Sequence, residues 1–424
     1  MIEIKGKYNT AKIFTNDIEP SAIEQIENLL DQAFVAGSRV RVMPDVHWGM
    51  GCAIGTTMTA TDKIVPNLVG VHIGCGMLTV PLGKTEIDCV KFDRQVKRSI
   101  PSGAGEYYNS AKYAFDGTEA LKCHRYIKTS NVDRMAGTLG GGNHFIELDA
   151  DSAGEIYLVV HTGSRNLGKQ VCDYYQDLAV KNYRNGFADA RAIVDKCKAE
   201  NRSRDIEKEL KAWHKDKDIV PPSLCYLTGG DKDDYLYDME ICQRFASFNR
   251  WAIVNELLKN YFYPMDVRFT DTYKLKIKEK EFKLSTEGFE TVHNYIDLEN
   301  NIIRKGAISA QAGEQVLIPV NMRDGAIIAR GKGIADMNCS LPHGAGRLMS
   351  RTAAEQNIDV EDFIKSMEGI YSSVVGEDTL DEAPQAYRDM DTVLSALDGL
   401  IDAAAVVKPV YNFKAVEKKN RRWK

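Results

Sequence analysis

The sequence predicts one integrated domain of helices and β-strands, of the α+β class. Helical and strand-like segments follow one another along all 424 residues, and no repeat, low-complexity tract or proline-rich linker separates them. Hydrophobic residues make up 44% and charged residues 27% of the chain, so a buried core is expected. The motifs that carry chemistry extend from Asp45 to Lys414. A site assembled over that span requires residues 1–424 to fold as a single domain.

The first helix is predicted by apolar residues that recur at helical spacing between Ile23 and Phe34. Ser21 and Glu24 have the spacing of a capping box, in which two side chains satisfy the first backbone N–H groups of a helix. Gly37 then ends the segment. We therefore expect an amphipathic helix that is capped by Ser21.

Short strands are predicted at Arg39–Met43, at Ile156–Val160 and at Thr291–Ile296. Between Gly49 and Val80 the chain is rich in glycine and β-branched residues, a composition typical of short strands and tight turns. The strand at Ile156–Val160 leads directly into His161. Strand ends and glycine turns are therefore expected to carry polar side chains to one place.

The middle and the end of the chain add further elements. The charged segment from Asn185 to Val220 has a helical pattern, which predicts a helical insertion on the surface. Tyr235–Tyr263 predicts a second helix, and Val267–Lys283 is strand-like with a lysine-rich stretch. The predicted buried face of that helix consists of Ile241, Phe245, Phe248, Ile253, Leu257 and Leu258. Two strands with turns are expected in Ala307–Ile328, and Val406–Phe413 is expected to be the last strand.

Composition excludes several classes of protein. No run of about 20 apolar residues could span a membrane. The charged N-terminus lacks the apolar stretch of a signal peptide, so we expect a cytoplasmic protein without a membrane partner. The nine cysteines form no CxxC pair, which excludes a zinc ribbon or a thioredoxin motif and favours reduced, buried thiols. At most one or two of them should do chemistry.

The charge balance gives no global argument for a nucleic-acid partner, because the formal net charge is −5. Any contact with RNA must come from a local basic surface. The basic run from Lys414 to Lys424 is one candidate, and a solubilising tail is an equally good interpretation of it.

Six of the eight histidines lie in glycine-rich segments or at strand ends. They are His47, His72, His144, His161, His293 and His343. A single histidine is more often structural than functional, and the same holds for Cys75 alone. His72 and Cys75 nevertheless place two potential ligands three residues apart around a glycine. Imidazole and thiolate suit zinc, manganese, iron or nickel, so the histidines as a group predict a metal site.

Two further segments suit phosphate. Gly137–Phe145 matches neither a Walker loop nor a dinucleotide fingerprint, but its backbone N–H groups could bind phosphate; a tight structural turn is the alternative. Pro342–Arg351 places His343 ahead of small residues and two arginines, which bind phosphates bidentately; a helix start with surface arginines is the alternative. Together with the metal site, these segments suggest metal-assisted phosphoryl or nucleotidyl transfer.

The motifs also resemble those of a known family, the RtcB RNA-splicing ligases, over essentially the whole chain. The matching segments are Met43–Gly49 (MetProAspValHisTrpGly), Val69–Met77, Gly137–Glu147, His161–Arg165, Arg304–Ala310, His343–Arg351 and Glu382–Asp389. The resemblance implies an α+β domain with mixed β-sheets flanked by helices. It also implies an enzyme that joins an RNA 2′,3′-cyclic phosphate or 3′-phosphate end to a 5′-hydroxyl end. Such ligases use GTP and manganese, one or two ions, and many need an activating protein, archease.

The resemblance further implies a role for individual residues. The residue matching His343 is the nucleophile that carries GMP, and Asp45 orients it. The implied metal ligands are Cys75, His144, His161 and His293, with Cys75 bridging if two ions bind. The implied guanylate-binding residues are Asn143, Glu147, Tyr387, Lys414, Gly344, Ala345 and Gly346. The implied RNA- or phosphate-binding residues are Arg165, Arg347 and Arg351.

Three departures from the family pattern qualify this expectation. His72 stands where the family has Asp, and a neutral ligand should weaken a hard divalent ion or favour softer metals. We expect an altered second metal site with His72 retained as a ligand. The loop Pro319–Met322 reads ProValAsnMet rather than ProGlySerMet, which affects nucleotide preference, and Pro342 replaces serine before His343. The alternatives are a related nucleotidyl transferase that acts on other nucleic-acid ends and a non-ligating RNA-binding protein.

Overall fold

The computed structural model describes the whole chain except residues 107–112, 186–187, 201, 216–219, 263–266, 270–274, 278–287 and 416–424. Helices and strands both contribute substantially, which confirms the α+β class. The helices are α1 (Pro20–Leu30), α2 (Cys89–Ser99), α3 (Val132–Met135), α4 (Arg165–Asn185), α5 (Ala188–Ala199), α6 (Ile206–Lys215), α7 (Gly229–Leu257), α8 (Arg351–Asn357), α9 (Val360–Ser366) and α10 (Met390–Leu397). None of the helices within the described ranges is both long and apolar enough to cross a bilayer.

One sheet has six strands in the order β1-β2-β3-β4-β12-β11. Its strands are β1 (Ile2–Lys5), β2 (Thr10–Ile13), β3 (Val40–His47), β4 (Ile54–Thr59), β11 (Asn294–Asp297) and β12 (Ile302–Lys305). The pairing is antiparallel except between β2 and β3, which run parallel. The predicted strand at Arg39–Met43 is therefore confirmed, and it continues through Asp45 to His47.

The second sheet has seven strands in the order β10-β5-β7-β6-β17-β15-β14, all antiparallel. Its strands are β5 (Gly76–Gly83), β6 (Phe145–Ala150), β7 (Ile156–Thr162), β10 (Phe289–Val292), β14 (Gln315–Asn321), β15 (Gly325–Gly331) and β17 (Ile401–Lys414). Two smaller pairs join β13 (Ala307–Ser309) to β16 (Ser340–Pro342) and β8 (Val267–Phe269) to β9 (Leu275–Ile277). The predicted last strand is confirmed as part of β17.

The predicted strand around His293 is in fact two strands in different sheets. Phe289–Val292 pairs with β5 of the seven-stranded sheet, whereas Asn294–Asp297 pairs with β12 of the six-stranded sheet. His293 lies at the crossing point, where its N–H donates to the Cys75 carbonyl at 3.0 Å. Alternation of side chains alone does not show that the chain changes sheets. The crossing places His293 where the two sheets meet, and the site forms there.

Helix α1 begins two residues earlier than predicted, and the predicted capping box is wrong. Glu19 is the N-cap residue, Pro20 occupies the first turn, and no side chain caps the backbone. Proline is well placed there because its missing N–H would have no partner in the first turn. The apolar face is as expected, with Ala22, Ile26 and Leu29 fully buried against the six-stranded sheet.

Helix α7 is the central helix and contacts α4 and strand β7 of the seven-stranded sheet. The predicted apolar positions Ile241, Phe245 and Ile253 are buried, but Asn249 and Arg250 are buried among them. A buried charge or amide is costly unless it is fully hydrogen-bonded. These two polar side chains reach the loops that form the site, as described below.

Several other predictions concern regions that are only partly described. The segment from Asn185 to Val220 contains α5 and α6, so it is helical, while its interpretation as an insertion stays a prediction. In the segment Val267–Lys283, the structure describes only β8 and β9. The basic run beyond Ala415 lies outside the described residues.

Candidate active site

A cavity of about 940 Å³ opens where the ends of the two sheets meet. The predicted site residues that line it are His72, Cys75, Asn143, Glu147, His161, His293, His343, Gly344, Ala345, Gly346, Arg347, Arg351, Tyr387 and Lys414. Most of them lie at or beside a strand end. Neighbouring strands of a sheet end along the same edge, so these residues come close together there. Residues that are hundreds of positions apart in sequence therefore share one cavity.

Cys75, His161 and His293 form a compact cluster on the cavity wall. The Nε2 atom of His161 lies 3.4 Å from Cys75 Sγ and 3.2 Å from His293 Nε2. Their ligand atoms all lie within 4.8 Å of one another, and all three residues are buried. Donor atoms bound to one ion at roughly 2.1–2.3 Å are separated by about 3.4 Å in a tetrahedral site. The residues present therefore fit a transition metal ion.

His144 extends the cluster on the other side of Cys75. Its Nε2 atom is 3.4 Å from Cys75 Sγ, and its Nδ1 atom is 2.8 Å from the Leu139 carbonyl oxygen. Because a carbonyl can only accept, Nδ1 carries the proton and Nε2 keeps its lone pair toward the sulfur. His144 is thus oriented as a ligand, although it lies behind the cavity wall.

The cluster holds its histidines in the neutral, ligand-competent form. Burial lowers the pKa of His144 to about 3, and it lowers the pKa of His161 and His293 well below the usual value. Burial also raises the pKa of the Cys75 thiol to about 12. A bound metal ion must therefore displace the thiol proton, which makes metal binding dependent on pH.

Asn249 and Arg250 of α7 support the loops that carry these ligands. Arg250 Nη1 donates to the Gly74 carbonyl at 2.8 Å and to the Thr162 carbonyl at 2.9 Å. Asn249 accepts from the backbone N–H groups of Gly137 and Thr138. Sequence reasoning missed both residues because it took α7 as an apolar helix. Two polar residues in an otherwise apolar helical face were the available signal.

His343 lies directly after β16, and its imidazole is fixed by Asp45 of β3. The Asp45 Oδ2 atom accepts from His343 Nδ1 at 2.6 Å and from the His343 backbone N–H at 3.0 Å. The Asp45 side chain is only 1% exposed and that of His343 is 18% exposed. With the proton on Nδ1, the lone pair of Nε2 is the one available for chemistry.

The His343 ring lies against the metal-binding cluster. Its centroid is 4.8 Å from that of His293, and the two ring planes are inclined by only 23°. The His47 ring is also stacked with that of His343, with centroids 6.4 Å apart. Burial lowers the pKa of His47, so it is neutral at pH 7. A nucleophilic nitrogen and a cluster of metal ligands therefore share one wall of the cavity.

The opposite side of the cavity is built around the buried carboxylate of Glu382. Lys414 Nζ and Arg351 Nη2 each lie 2.8 Å from this carboxylate, and Arg347 Nη1 lies 3.4 Å from it. The Tyr387 hydroxyl donates to it at 2.9 Å. These cations keep the pKa of Glu382 low despite its burial. Asp381, which pairs with Arg351, is the second carboxylate on this wall, whereas Arg347, Arg351 and Lys414 are three cations. The wall therefore carries a net positive charge, which favours the binding of anions.

Glu147 lies on β6 between the two walls, opposite Asn412 of β17. Asn412 Nδ2 donates to Glu147 Oε1 at 2.9 Å. Burial raises the pKa of Glu147 to about 7, and the nearby buried Asp149 has its pKa raised as well. Near neutral pH the Glu147 carboxyl group can therefore be protonated and donate a hydrogen bond, or be ionised and only accept one. Either form could pair with the edge of a nucleobase.

The small residues after His343 permit close packing. Gly346 has a φ of +75°, and a Cβ atom there would overlap Arg388 Nη1 and lie 3.0 Å from Asp45 Cα. Only glycine fits this position without strain. Arg388 was not identified from the sequence, yet it lines the cavity and is paired with Asp17 at 2.7 Å.

Arg165 and His72 both lie outside the compact cluster of Cys75, His161 and His293. Arg165 is not among the residues that line the cavity; its Nε donates to Thr138 Oγ1 and its Nη2 to the Gly103 carbonyl, both at 3.0 Å. His72 lines the cavity but is exposed and does not belong to the compact ligand cluster. Surrounding protein atoms, Lys305 and Arg351 all lower the pKa of His72.

A buried histidine and cysteine cluster beside an oriented histidine and an anion-binding wall is typical of metal-dependent enzymes that act on phosphate esters. Comparison with known proteins supports this class. The family described as tRNA-splicing ligase RtcB matches residues 25–129 and 113–415. The chain therefore belongs to the RtcB family, as its motifs predicted.

Individual relatives resemble the chain over most of their length. RNA-splicing ligase RtcB of Escherichia coli (strain K12) is 30% identical over 423 residues, covering 93% of this chain and 94% of the relative. RNA-splicing ligase RtcB homolog 1 of Entamoeba dispar is 25% identical over 514 residues, covering 97% and 87%. tRNA-splicing ligase RtcB of Thermococcus kodakarensis is 24% identical over 452 residues, covering 87% and 86%.

Proposed function

We propose that the protein is an RNA ligase that joins a 2′,3′-cyclic phosphate or 3′-phosphate end to a 5′-hydroxyl end, with His343 as the nucleophile. The observation that carries the proposal is the position of His343. Its Nδ1 is held by Asp45 at 2.6 Å, and its ring stacks 4.8 Å from that of His293 in the ligand cluster. Family membership supports the substrate class, because the relatives are named RNA-splicing or tRNA-splicing ligases.

The first step follows from the orientation of the imidazole. Nε2 of His343 attacks the α-phosphorus of GTP, a P–N bond forms, and the bond to pyrophosphate breaks. Asp45 stabilises the positive charge that develops on the ring, because Nδ1–H already donates to its buried carboxylate. Gly344 has no side chain and Ala345 has only a methyl group, which leaves room beside the nucleophile for a nucleotide.

Manganese, held by Cys75, His144, His161 and His293, would neutralise phosphate charge and orient the displacement. Arg347, Arg351 and Lys414 provide further positive charge from the opposite wall. Arg165 is less well placed for a phosphate contact, because its guanidinium already bonds Thr138 and Gly103. The Arg165 guanidinium would have to leave these two partners to reach the cavity.

The later steps concern the RNA ends. Water adds to the phosphorus of the cyclic phosphate and the bond to the 2′-oxygen breaks, which leaves a 2′-hydroxyl and a 3′-phosphate. An oxygen of this 3′-phosphate then attacks the phosphorus of the GMP on His343, and the P–N bond breaks. The 5′-hydroxyl oxygen then attacks the activated phosphorus, a phosphodiester forms, and GMP leaves. His343 returns to its starting form, so one GTP is consumed for each joined end.

Guanylate recognition is proposed for Asn143, Glu147, Tyr387 and Lys414, together with the Gly344–Gly346 segment. All of them line the same cavity, and Glu147 has the pKa of about 7 that a base-edge contact could use. The altered loop Pro319–Met322 also lines the cavity, so it bears on nucleotide choice.

The number of metal ions depends on His72. This residue opens onto the same cavity as Cys75, and the surrounding protein atoms together with Lys305 and Arg351 lower its pKa, which favours the neutral imidazole. We propose that it remains a ligand of a second, weaker site. Anomalous scattering at the manganese edge tests this, because two fully occupied ions with His72 turned away would contradict it.

The decisive experiment incubates the protein with manganese and α-labelled GTP and measures acid-labile label on the protein. We expect labelling that His343→Ala abolishes and that His124→Ala, a matched change at a histidine outside the cavity, leaves unchanged. Labelling with ATP instead would show an altered nucleotide choice. Absence of label with either nucleotide, in a protein that still binds RNA, would favour the non-ligating alternative.

An end-joining assay then distinguishes RNA from other nucleic-acid ends. Joining of cyclic-phosphate RNA to 5′-hydroxyl RNA is expected, whereas joining of DNA ends alone would favour the related transferase. A requirement for archease is tested by adding it to the same assay. The cytoplasmic location stays a prediction of the sequence.

A further inference from the structure

The mouth of the cavity carries two large apolar side chains that are open to solvent. Trp48 is 54% exposed and Leu348 is 58% exposed, and both line the cavity. Trp48 directly follows His47, whose ring stacks toward His343. An exposed indole beside a polar site offers a flat aromatic face to a binding partner.

The loop that presents Trp48 is fixed in place by helix α1. The backbone N–H of Trp48 donates to Glu19 Oε1 at 2.5 Å. Gln25 bonds the next residue twice, accepting from the Gly49 N–H at 3.1 Å and donating to its carbonyl at 2.6 Å. The backbone on both sides of the indole is therefore held before any partner binds. Because this backbone is already ordered, binding through the indole costs no further ordering of the loop.

The surroundings of Trp48 and Leu348 indicate which partner covers them. Two side chains offer far less area than the roughly 1,000 Å² that a specific protein interface needs. Arg351, which lies three residues after Leu348, is 43% exposed and lines the same cavity, so phosphate-binding charge adjoins the apolar pair. A flat aromatic group attached to a phosphate backbone matches both features. Single-stranded RNA is bound in this way, by stacking bases on aromatic side chains.

We propose that the Trp48 indole stacks on the 3′-terminal base of the 3′-phosphorylated RNA strand. This inference rests on the proposed function, since it takes an RNA end as the substrate. The RNA strand that accepts GMP must reach His343. Trp48 is exposed and directly follows His47, whose ring is stacked with that of His343. Stacking is tolerant of base identity, so this contact gives affinity without sequence preference.

The test measures binding of a fluorescent single-stranded RNA with a 3′-phosphate by anisotropy, without GTP. Trp48→Ala should raise Kd by about 5-fold to 150-fold, the range found for loss of one stacked base. Trp48→Phe should stay within about threefold of the wild type, since it keeps an aromatic face. Met50→Ala is the matched control: Met50 is 66% exposed on the same loop but does not line the cavity.

An RNA that carries an abasic residue at its 3′ end isolates the base itself. Wild type and Trp48→Ala should bind that RNA with nearly equal affinity. The inference is overturned if Trp48→Ala binds the normal RNA like the wild type, if Met50→Ala weakens binding as much, or if Trp48→Phe is as weak as Trp48→Ala. It is also overturned if the abasic RNA still distinguishes the wild type from Trp48→Ala.

Guanylylation separates this inference from the proposed function. Trp48→Ala should form labelled protein from α-labelled GTP at the wild-type rate, because that reaction involves no RNA. Loss of label in the variant would contradict a role confined to RNA. If the wild type forms no label, the proposed chemistry at His343 fails, and the anisotropy series still decides whether Trp48 stacks a base.

Discussion

Replacing Asp45 by asparagine tests the part of the site on which the chemistry depends most directly. Two donors converge on the Asp45 Oδ2 atom, the His343 backbone N–H at 3.0 Å and His343 Nδ1 at 2.6 Å. Asparagine has almost the same shape but only one acceptor oxygen. We expect Asp45→Asn to fold and to lose most of the GMP-transfer activity.

The size of the loss can be worked out from these two contacts. A hydrogen bond to a charged group contributes about 1.5–3 kcal/mol, and every 1.4 kcal/mol corresponds to about tenfold. Loss of one contact alone predicts a decrease of roughly 10-fold to 150-fold. If the amide N–H₂ turns toward His343, the proton moves to Nε2 and the nucleophilic lone pair is lost, which increases the effect toward about 10⁴-fold.

The assay is the initial rate of acid-labile labelling from α-labelled GTP at saturating manganese. Asp17→Asn is a control at the cavity rim, because Asp17 is 77% exposed and pairs with Arg388 rather than with His343. Asp45→Asn should retain the wild-type melting temperature within a few degrees and bind RNA normally. A labelling rate within threefold of the wild type would refute the role assigned to the Asp45–His343 pair.

Three further predictions concern the metal, the packing and the pH dependence. Cys75→Ser should lower manganese affinity at least about tenfold, as measured by equilibrium dialysis, whereas Cys89→Ser, at a half-buried thiol away from the cavity, should not. Gly346→Ala should lower the unfolding free energy by about 1–3 kcal/mol more than Gly313→Ala, since both have positive φ but only Gly346 has neighbours in the way. The raised pKa of Glu147, about 7, means that the folded chain holds its proton above pH 4.5 while the unfolded chain loses it. Stability should therefore fall by up to about 3 kcal/mol between pH 4.5 and 7 and level off above, and Glu147→Gln should flatten that slope in urea unfolding.

The sequence predicted the fold class and the convergence of several histidines, but not how the strands pair. Histidines next to glycines and at strand ends indicated convergence, and the structure brings Cys75, His161 and His293 into one buried cluster. Their spacing in the chain could not show which sheet each strand joins. The change of sheet at His293 depends on pairing with β5 on one side and β12 on the other, which are partners distant in sequence.

The charged residues that support the site were the hardest to find. Glu382 pairs with Lys414, Arg347 and Arg351. It begins the Glu382–Asp389 motif, but the motif does not show that this carboxylate is buried among cations. Arg388 lies against Gly346, but the sequence indicated its neighbour Tyr387 as the site residue. Such roles depend on burial and on the exact partner, and local sequence encodes neither. The same reasoning explains the error at α1, where Pro20 and Glu19 determine the helix start and the Ser21–Glu24 spacing is incidental.

The charges around the ligand cluster lead to a last prediction, that manganese and nucleotide bind cooperatively. Among the described residues, the cluster offers neutral histidines and one thiol that becomes negative, while Arg250 faces Cys75, His144 and His293 as a nearby positive charge. A dication held there is only partly neutralised, and the phosphates of a bound nucleotide would supply the missing negative charge. Manganese affinity, measured by equilibrium dialysis, should rise about 5-fold to 150-fold when a non-hydrolysable GTP analogue is present, and nucleotide affinity should rise by the same factor with manganese. Equal manganese affinity with and without the nucleotide would show that the phosphates do not reach the ion, and the placement of the α-phosphate beside His343 would then be wrong.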